Sequence, residues 1–195
     1  VLVFCGLVPW YLFASAFSDA SNSLVANSNL ISKVYFPRLL VPPSATAVAL
    51  VDFAISFVLL LLLAAWSGYS PTLRFLALPV LAALGFLTAL GLGVWFSALN
   101  VRYRDFQYLV PFILQFGLYV SPIGFASVLI PGGWRPLYVL NPMVGVVEGF
   151  RWAVLGGPFV FPADALAASC AVTALILGSG IWMFRRVERT FVDVI

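Results

Sequence analysis

Long apolar segments dominate this sequence and limit what the chain can fold into. A helix needs about 20 mostly apolar residues to cross the roughly 30 Å hydrocarbon core of a bilayer. Four segments meet that length and a fifth is slightly shorter, and they are Val1–Phe17 (the shorter one), Pro42–Trp66, Phe75–Leu99, Leu109–Leu129 and Ala163–Phe184. Because 63% of the 195 residues are hydrophobic and only 9% are charged, the chain cannot be a water-soluble globule. We therefore predict an all-α, polytopic helical bundle that forms one membrane domain.

The basic residues predict the orientation of these segments. Seven basic residues fall on one side of the predicted membrane and three on the other. The first group is Lys33, Arg38, Arg102, Arg104, Arg185, Arg186 and Arg189, and the second is Arg74, Arg135 and Arg151. Since cytoplasmic loops carry the excess of lysine and arginine, we expect the first group and the C-terminus to be cytoplasmic.

This orientation constrains the stretch between the last two spans, which must start and end on the outer side. Its apolar part therefore cannot cross the membrane once, and we predict a re-entrant hairpin over 135–155. The hairpin would consist of two short helices, Arg135–Leu140 and Pro142–Leu155. Asn141 is expected to be the N-cap of the second helix, and Gly156 with Gly157 to end it.

Several chemistries are excluded by what the sequence lacks. It contains no histidine, so a histidine triad or a histidine-bound zinc ion is impossible. The single lysine, Lys33, follows Ser32 rather than a glycine, so the phosphate-binding P-loop is missing. Cys5 and Cys170 lie far apart and form no CxxC pair. We therefore expect that the chain binds no metal or cofactor itself and cannot be a P-loop ATPase.

The most polar stretch of the chain, Ser18–Arg38, still carries apolar residues near helical spacing. It predicts a short amphipathic helix that Asp19 or Asn22 caps and Pro37 ends. Such a helix could lie on the lipid surface or dock a soluble partner. Its low charge favours docking, because a helix bound to anionic lipid is usually richer in basic residues.

A few polar and aromatic residues are candidates for a transport path. Asp52 lies about 15 Å deep in its span, and must face the bundle interior, a dimer seam or water. It serves either as a polar clamp between helices or as part of a path. Glu148 and Arg151, spaced i, i+3, form either a neutralised ion pair or a polar site at an outer gate. Three aromatic residues near the hairpin are membrane-interface residues or line a conduit for sugar rings, and they are Tyr119, Phe125 and Tyr138.

Four stretches of the chain resemble a known family. They are LVANSNLISKVYFPRLLVPPSA, LNVRYRDFQYLVPFILQFGLYVSPIGF, LNPMVGVVEGFRWAVLGG and FRRVERTFVDVI, at residues 24–45, 99–125, 140–157 and 184–195. In this order they closely resemble the permease subunit of bacterial type-2 ABC exporters for polysaccharides, such as O-antigen, teichoic acid or capsule-like glycans.

The resemblance implies a multi-pass protein of the bacterial inner membrane that works as a homodimer with two copies of a separate ABC ATPase. This chain would then be a transport subunit and not an enzyme, and the ATPase would hold the ATP and Mg²⁺. The resemblance further implies that this chain, which begins at Val1 inside an apolar run, lacks the family's N-terminal helix, first span and the start of the second. By position, a coupling helix that inserts into the ATPase corresponds to Asn22–Tyr35. The residues assigned to it are Asn22, Leu24, Val25, Asn27, Leu30, Ile31 and Tyr35.

The resemblance also implies the cargo, a glycan linked to an undecaprenyl diphosphate carrier. Basic residues near the cytoplasmic gate would meet the pyrophosphate, and by position the candidates are Arg38, Arg102 and Arg104. The hairpin at 135–155 would stand at the outer mouth of the channel. Three alternatives stay open: a permease of this fold for a drug or lipid, an intramembrane enzyme acting on polyprenyl-linked sugars, and a membrane anchor for a soluble complex.

Overall fold

The structure is a computed structural model, and it describes residues 1–33, 36–69, 72–103, 105–125, 134–157 and 159–188. These ranges contain helices and turns and no strand, so the all-α class is confirmed. The helices are α1 (Leu2–Ala26), α2 (Ser28–Lys33), α3 (Val41–Ala45), α4 (Ala47–Trp66), α5 (Leu78–Arg102), α6 (Phe106–Val120), α7 (Arg135–Val139), α8 (Pro142–Leu155) and α9 (Ala163–Glu188), with 3₁₀ turns at Arg38–Leu40 and Leu73–Ala77.

Among the described residues, four helical segments are long and apolar enough to cross a membrane. They are Leu2–Ala26, Arg38–Trp66, Leu73–Arg102 and Ala163–Glu188. They overlap four of the five predicted spans, and the chain is a multi-pass membrane protein. The predicted span Pro42–Trp66 is divided at Thr46, between α3 and α4, where the Thr46 hydroxyl donates to the Pro43 carbonyl at 2.7 Å.

The helix in the predicted span Leu109–Leu129 is shorter than expected. α6 has 15 residues and ends at Val120, because Ser121 adopts an extended conformation and Pro122 follows it. At about 1.5 Å per residue it covers about 22 Å, less than the hydrocarbon core of a bilayer. Residues 126–129 of the predicted span lie outside the described part of the chain.

The first span is longer than predicted, and the separate amphipathic helix predicted after it is wrong in its bounds. α1 continues past Phe17 to Ala26 without a break, and only Asn27 separates it from the short helix α2. Neither Asp19 nor Asn22 caps a helix, since both lie within α1.

The polar residues of α1 remain helical because their side chains bond to the helix itself. The Ser21 and Ser23 hydroxyls donate to the carbonyls of Ser18 and Ala20, at 2.8 and 2.7 Å. Across the helix interface, the Asn100 side-chain amide of α5 donates to the Ser21 carbonyl at 2.8 Å. Buried polar groups that are hydrogen-bonded can be packed without a large penalty, so this stretch lies inside the bundle.

α5 lies at the centre of the bundle, between α1 and α9, and small residues allow the close approach. A Cβ added at Gly93 would collide with the Cβ of Ala20 in α1. A Cβ added at Gly180 of α9 would lie 2.8 Å from the Gly91 carbonyl oxygen of α5. The Thr88 and Thr173 hydroxyls share a hydrogen bond of 2.7 Å across the α5–α9 interface. Small residues and hydroxyl pairs of this kind hold transmembrane helices together.

We expect Gly93→Leu to destabilise the bundle, because the larger side chain must push α1 away from α5. Overpacking a tight interface typically costs about 1–3 kcal/mol. The matched control is Gly178→Leu in α9, where an added Cβ meets no atom within 4 Å. Thermal unfolding of the purified full-length protein in detergent measures both variants. Equal melting temperatures for the two variants would contradict the close α1–α5 contact.

The bundle has two distinct ends. One end contains the C-termini of α1, α5 and α9, where Leu24, Val94 and Phe184 belong to one buried cluster. We call it the basic end, since Arg102, Arg185 and Arg186 are located there. At the opposite end α8 packs against the first turns of α1 and α5, and we call this the hairpin end.

Candidate functional site

The predicted ATPase-coupling residues at the basic end are divided between the core and the surface. Leu24 is fully buried, and Asn22 is half-buried with its side chain donating to the Ser18 carbonyl at 3.2 Å. Val25 is 41% exposed, and Asn27 is exposed. We therefore correct the assignment of Leu24, since a fully buried side chain cannot contact another protein.

The remaining coupling residues are only partly described. Leu30 and Ile31 lie in α2, but their side chains are outside the described part of the chain, as is Tyr35. What the structure shows is an interruption of the helix at Asn27, where α1 ends at Ala26 and α2 begins at Ser28. We call Val25–Lys33 the basic-end corner.

The three predicted headgroup-binding arginines are in different situations. Arg38 is half-buried and donates to the Glu188 carbonyl at 3.3 Å, so it ties the start of the second span to the end of α9. Arg102 is exposed, with its guanidinium 5.4 Å from the centre of the Tyr103 ring. Arg104 lies outside the described residues.

At the hairpin end, the two short helices lie at the predicted positions. α7 is Arg135–Val139 and α8 is Pro142–Leu155. Asn141 is the predicted N-cap, since its side-chain oxygen accepts from the Met143 amide at 3.0 Å. α8 ends at Gly156, whose positive φ of 57° is unfavourable for other residues. The Asn141 side-chain amide also donates to the Ser121 hydroxyl at 3.1 Å, which joins the hairpin to the end of α6.

The predicted ion pair between Glu148 and Arg151 is absent, although both residues are described. Arg151 is 1% exposed and donates instead to two backbone carbonyls, Ile123 at 2.7 Å and Phe125 at 2.8 Å. Among the described residues the ion pair at this end is Arg135–Asp164, which joins α7 to the start of α9 at 2.9 Å and is largely exposed. The ion-pair alternative was wrong because backbone carbonyls distant in sequence take the place of Glu148 as acceptors for Arg151.

Four of the six predicted gate residues lie together at the hairpin end. The Phe125 and Tyr138 rings are 6.4 Å apart, and Arg151 bonds to the Phe125 carbonyl. Tyr138 and Glu148 are half-buried, and burial raises the pKa of the Tyr138 phenol and of the Glu148 carboxyl. The phenol oxygen of Tyr138 and Nε of Arg151 are buried without a hydrogen-bond partner. We call these four residues the hairpin-end cluster.

The other two predicted gate residues lie elsewhere. Asp52 is exposed on the outer face of α4, among the exposed side chains of Val48, Val51 and Ile55. The prediction that it faces the interior of this bundle is therefore wrong, and a dimer seam or water remain. Tyr119 is 72% exposed on α6.

Tyr119 belongs to a longer row of aromatic residues that sequence reasoning missed. Four exposed aromatic side chains follow one face of α6, and they are Tyr108, Phe112, Phe116 and Tyr119. Their spacing of four, four and three residues was the available signal. The rings of Phe112 and Phe116 are nearly parallel, with centres 6.3 Å apart. We call this row the α6 stripe.

Other aromatic residues belong to the core. Trp10, Phe13 and Phe17 follow one another in ring contact along α1, and Phe17 packs edge-on against Phe96 of α5 at 5.2 Å. Phe96 in turn contacts Phe106 at the start of α6. We call these five residues the aromatic ladder, and it couples α6 to the centre of the bundle.

The described residues contain no group of three cysteine, aspartate or glutamate side chains that could hold a metal ion. Cys5 is buried and Cys170 is exposed, and both are free thiols. The geometry is that of a polytopic helical membrane domain, with the basic-end corner at one end and the short helices α7 and α8 at the other.

Comparison with known proteins identifies the family. Residues 1–155 match the ABC-2 type transporter membrane family, and the chain belongs to it. Transporters of this family normally work with an ABC ATPase. The resemblance noted from the sequence is thereby confirmed.

The chain is similar to several named export and transport proteins along nearly its whole length. The O-antigen export system permease protein RfbA of Klebsiella pneumoniae is 24% identical over 196 residues, which cover 100% of this chain and 75% of that protein. The protein of the same name from Myxococcus xanthus is 29% identical, covering 95% of this chain and 73% of that protein. The polysialic acid transport protein KpsM of Escherichia coli is 26% identical, covering 96% and 73%.

Proposed function

We propose that this chain is the membrane-spanning subunit of an ATP-driven exporter that moves a polysaccharide across the bacterial inner membrane. The observation that carries the proposal is similarity over 95–100% of the chain to proteins named for O-antigen export and for polysialic acid transport. Proteins of one family share their fold more widely than their cargo, so the cargo class rests on these relatives.

In this proposal ATP hydrolysis takes place on a separate ABC ATPase, since transporters of this family normally work with one and these 195 residues contain no P-loop. The ATPase docks on the cytoplasmic face, which is the basic end, and the C-terminus is on the same side. Val25, Asn27 and Lys33 are exposed at the basic-end corner and supply the docking surface. Leu24 anchors that corner from inside, so a push on it is transmitted to α1 as a rigid body.

Two copies of the permease with two ATPases form the transporter. α6 contacts the Trp10 ring at Gly117, and the four side chains of the α6 stripe are exposed. Sugar rings stack on aromatic faces, so the stripe is suited to line a path at the seam between two copies. Asp52 on α4 faces the seam or water, and the hairpin-end cluster forms the outer gate.

The cargo is a glycan linked to a lipid pyrophosphate, which enters at the basic end. Exposed Arg102, with Arg104 close in sequence, is suited to meet the pyrophosphate through charge-assisted hydrogen bonds. Arg38 is less suited, because its guanidinium already holds the end of α9.

Reconstitution of the full-length permease with its cognate ATPase in proteoliposomes tests the proposal. A lipid-linked glycan is expected to stimulate ATP hydrolysis and to appear inside inverted vesicles, whereas the carrier lipid without glycan does neither. Stimulation by a small amphiphilic drug and none by lipid-linked glycan would contradict polysaccharide export.

A further inference from the structure

Arg151 is a buried guanidinium whose charge has no carboxylate partner. It is 1% exposed and lies between α8, the first turns of α1 and the segment that follows α6. An added Cβ at Gly6 would be 3.5 Å from its Nη2 and 3.2 Å from the Ile123 Cα, so the three elements are in close contact there. No Asp or Glu among the described residues lies within salt-bridge distance of it.

The guanidinium is satisfied only in part. Nη1 and Nη2 donate to the Phe125 and Ile123 carbonyls, while Nε is buried without a partner. A buried charge that lacks a counter-ion is costly, and these two bonds are what offsets that cost. They join α8 to Ser121–Phe125, a segment without helical structure. If the segment moved away, the guanidinium would lose both acceptors at once.

A second acceptor is available on the same helix. Glu148 precedes Arg151 by three residues, a spacing at which side chains on a helix can meet. It is half-buried, and no ion pair with it is formed in this structure. Its carboxyl is held toward the neutral form by burial, and an approaching guanidinium would favour the ionised form.

We propose that Arg151 is a two-position latch: it holds Ile123 and Phe125 when the hairpin end is closed, and pairs with Glu148 when Ser121–Phe125 is released. This rests on the proposed function, in which the hairpin-end cluster is the outer gate. Arg151 is a positioning residue that does not touch cargo. Its exchange of acceptors keeps the guanidinium satisfied in both states, and this lowers the free-energy difference between them.

Hydrogen exchange of the Ile123, Gly124 and Phe125 amides tests the latch, because it reports how often the segment opens. The experiment uses the full-length permease with its ATPase, with and without nucleotide. Without nucleotide, Arg151→Gln is expected to raise exchange of these amides roughly tenfold, since two charged hydrogen bonds are lost. Arg151→Lys is expected to raise it too, because one ammonium cannot reproduce the paired donors. The lysine variant retains the positive charge, and it replaces the glutamine variant in this measurement if the glutamine variant does not fold.

Glu148→Gln separates the latch from a purely structural arginine. With trapped nucleotide, this variant is expected to lower exchange of the same amides roughly tenfold, because the released state loses its charged acceptor. In the Arg151→Gln background, Glu148→Gln is expected to have no further effect. The matched control is Arg135→Gln, which breaks an exposed ion pair nearby and should change exchange less than twofold.

Two outcomes would overturn the latch. In the first, the three amides exchange in the Glu148→Gln variant as they do in the parent, with and without nucleotide. Glu148 would then accept no hydrogen bond from Arg151. In the second, the effects of the two substitutions add. A failure of the proposed function gives a different result. Lipid-linked glycan then does not stimulate ATP hydrolysis, while Arg151→Gln still raises hydrogen exchange of the three amides without nucleotide.

Discussion

Replacing Leu24 with aspartate is expected to prevent folding of the full-length permease, whereas the same replacement at the neighbouring Val25 leaves it folded. Leu24 is 0% exposed and packs in the buried cluster with Val94, Ala98 and Phe184, while Val25 is 41% exposed. An unpaired buried charge and the lost leucine packing each cost several kcal/mol, and domains are stable by only about 5–15 kcal/mol. Fluorescence-detected gel filtration and thermal unfolding measure the difference.

The control variant also carries functional information. Val25→Asp changes an exposed side chain of the basic-end corner, so it is expected to abolish ATP-driven export without lowering the melting temperature by more than about 2 °C. A Leu24→Asp protein that elutes and melts like the parent would contradict the burial of Leu24. A folded Val25→Asp protein with full export would contradict docking at this corner.

Phe17→Ala is expected to be the most damaging truncation within the aromatic ladder. Phe17 is 0% exposed, and its ring packs edge-on against Phe96, which in turn contacts Phe106 of α6. Deleting a buried phenylalanine ring typically costs about 3–5 kcal/mol, and here it also removes the link from α1 to α6. Thermal unfolding should show a large decrease in melting temperature, together with faster hydrogen exchange at the start of α6.

Tyr11→Ala in the same helix is the control for Phe17→Ala. Its side chain is 60% exposed and belongs to no buried cluster, so truncation should change the stability of the monomer by less than about 0.5 kcal/mol. If both alanine variants melted alike, the aromatic ladder would not be part of the core.

The features predicted best from the sequence are those that depend on residues adjacent to one another in the chain. Long apolar runs require membrane helices, and four of the five predicted spans overlap helices of sufficient length. Asn141 before Pro142 is a strong helix start, and the structure shows the expected cap. These features depend on neighbours in sequence, so no knowledge of the fold is needed.

The polar stretch after Phe17 was mispredicted because its polarity comes from side chains that bond to their own helix. Ser21 and Ser23 donate to carbonyls three residues earlier, and Asn100 supplies a bond from another helix. Sequence composition cannot distinguish a serine in a loop from a serine satisfied inside a buried helix. The result is a continuous α1, in which Leu24 belongs to the core and Val25 to the surface.

The hydrogen-bond acceptors of Arg151 could not be predicted from the spacing of residues along its helix. Glu148 three residues earlier suggested an ion pair, yet the acceptors are carbonyls 28 and 26 residues away, at Ile123 and Phe125. Only the tertiary structure brings the end of α6 to α8. Likewise, the exposure of Asp52 depends on which face of α4 packs against α1, and its depth in the sequence does not determine that face.

Site-specific cross-linking tests most directly whether an ABC ATPase drives this permease through the basic-end corner, as we propose. A cysteine at Val25 in a Cys170→Ser background of the full-length protein is probed in native membranes, with and without ATP. Leu175→Cys, 72% exposed in the middle of α9, is the control. We predict an ATP-dependent cross-link from Val25→Cys to the ATPase and none from Leu175→Cys. A Val25→Cys protein that reacts only with lipid, in either nucleotide state, would contradict the account.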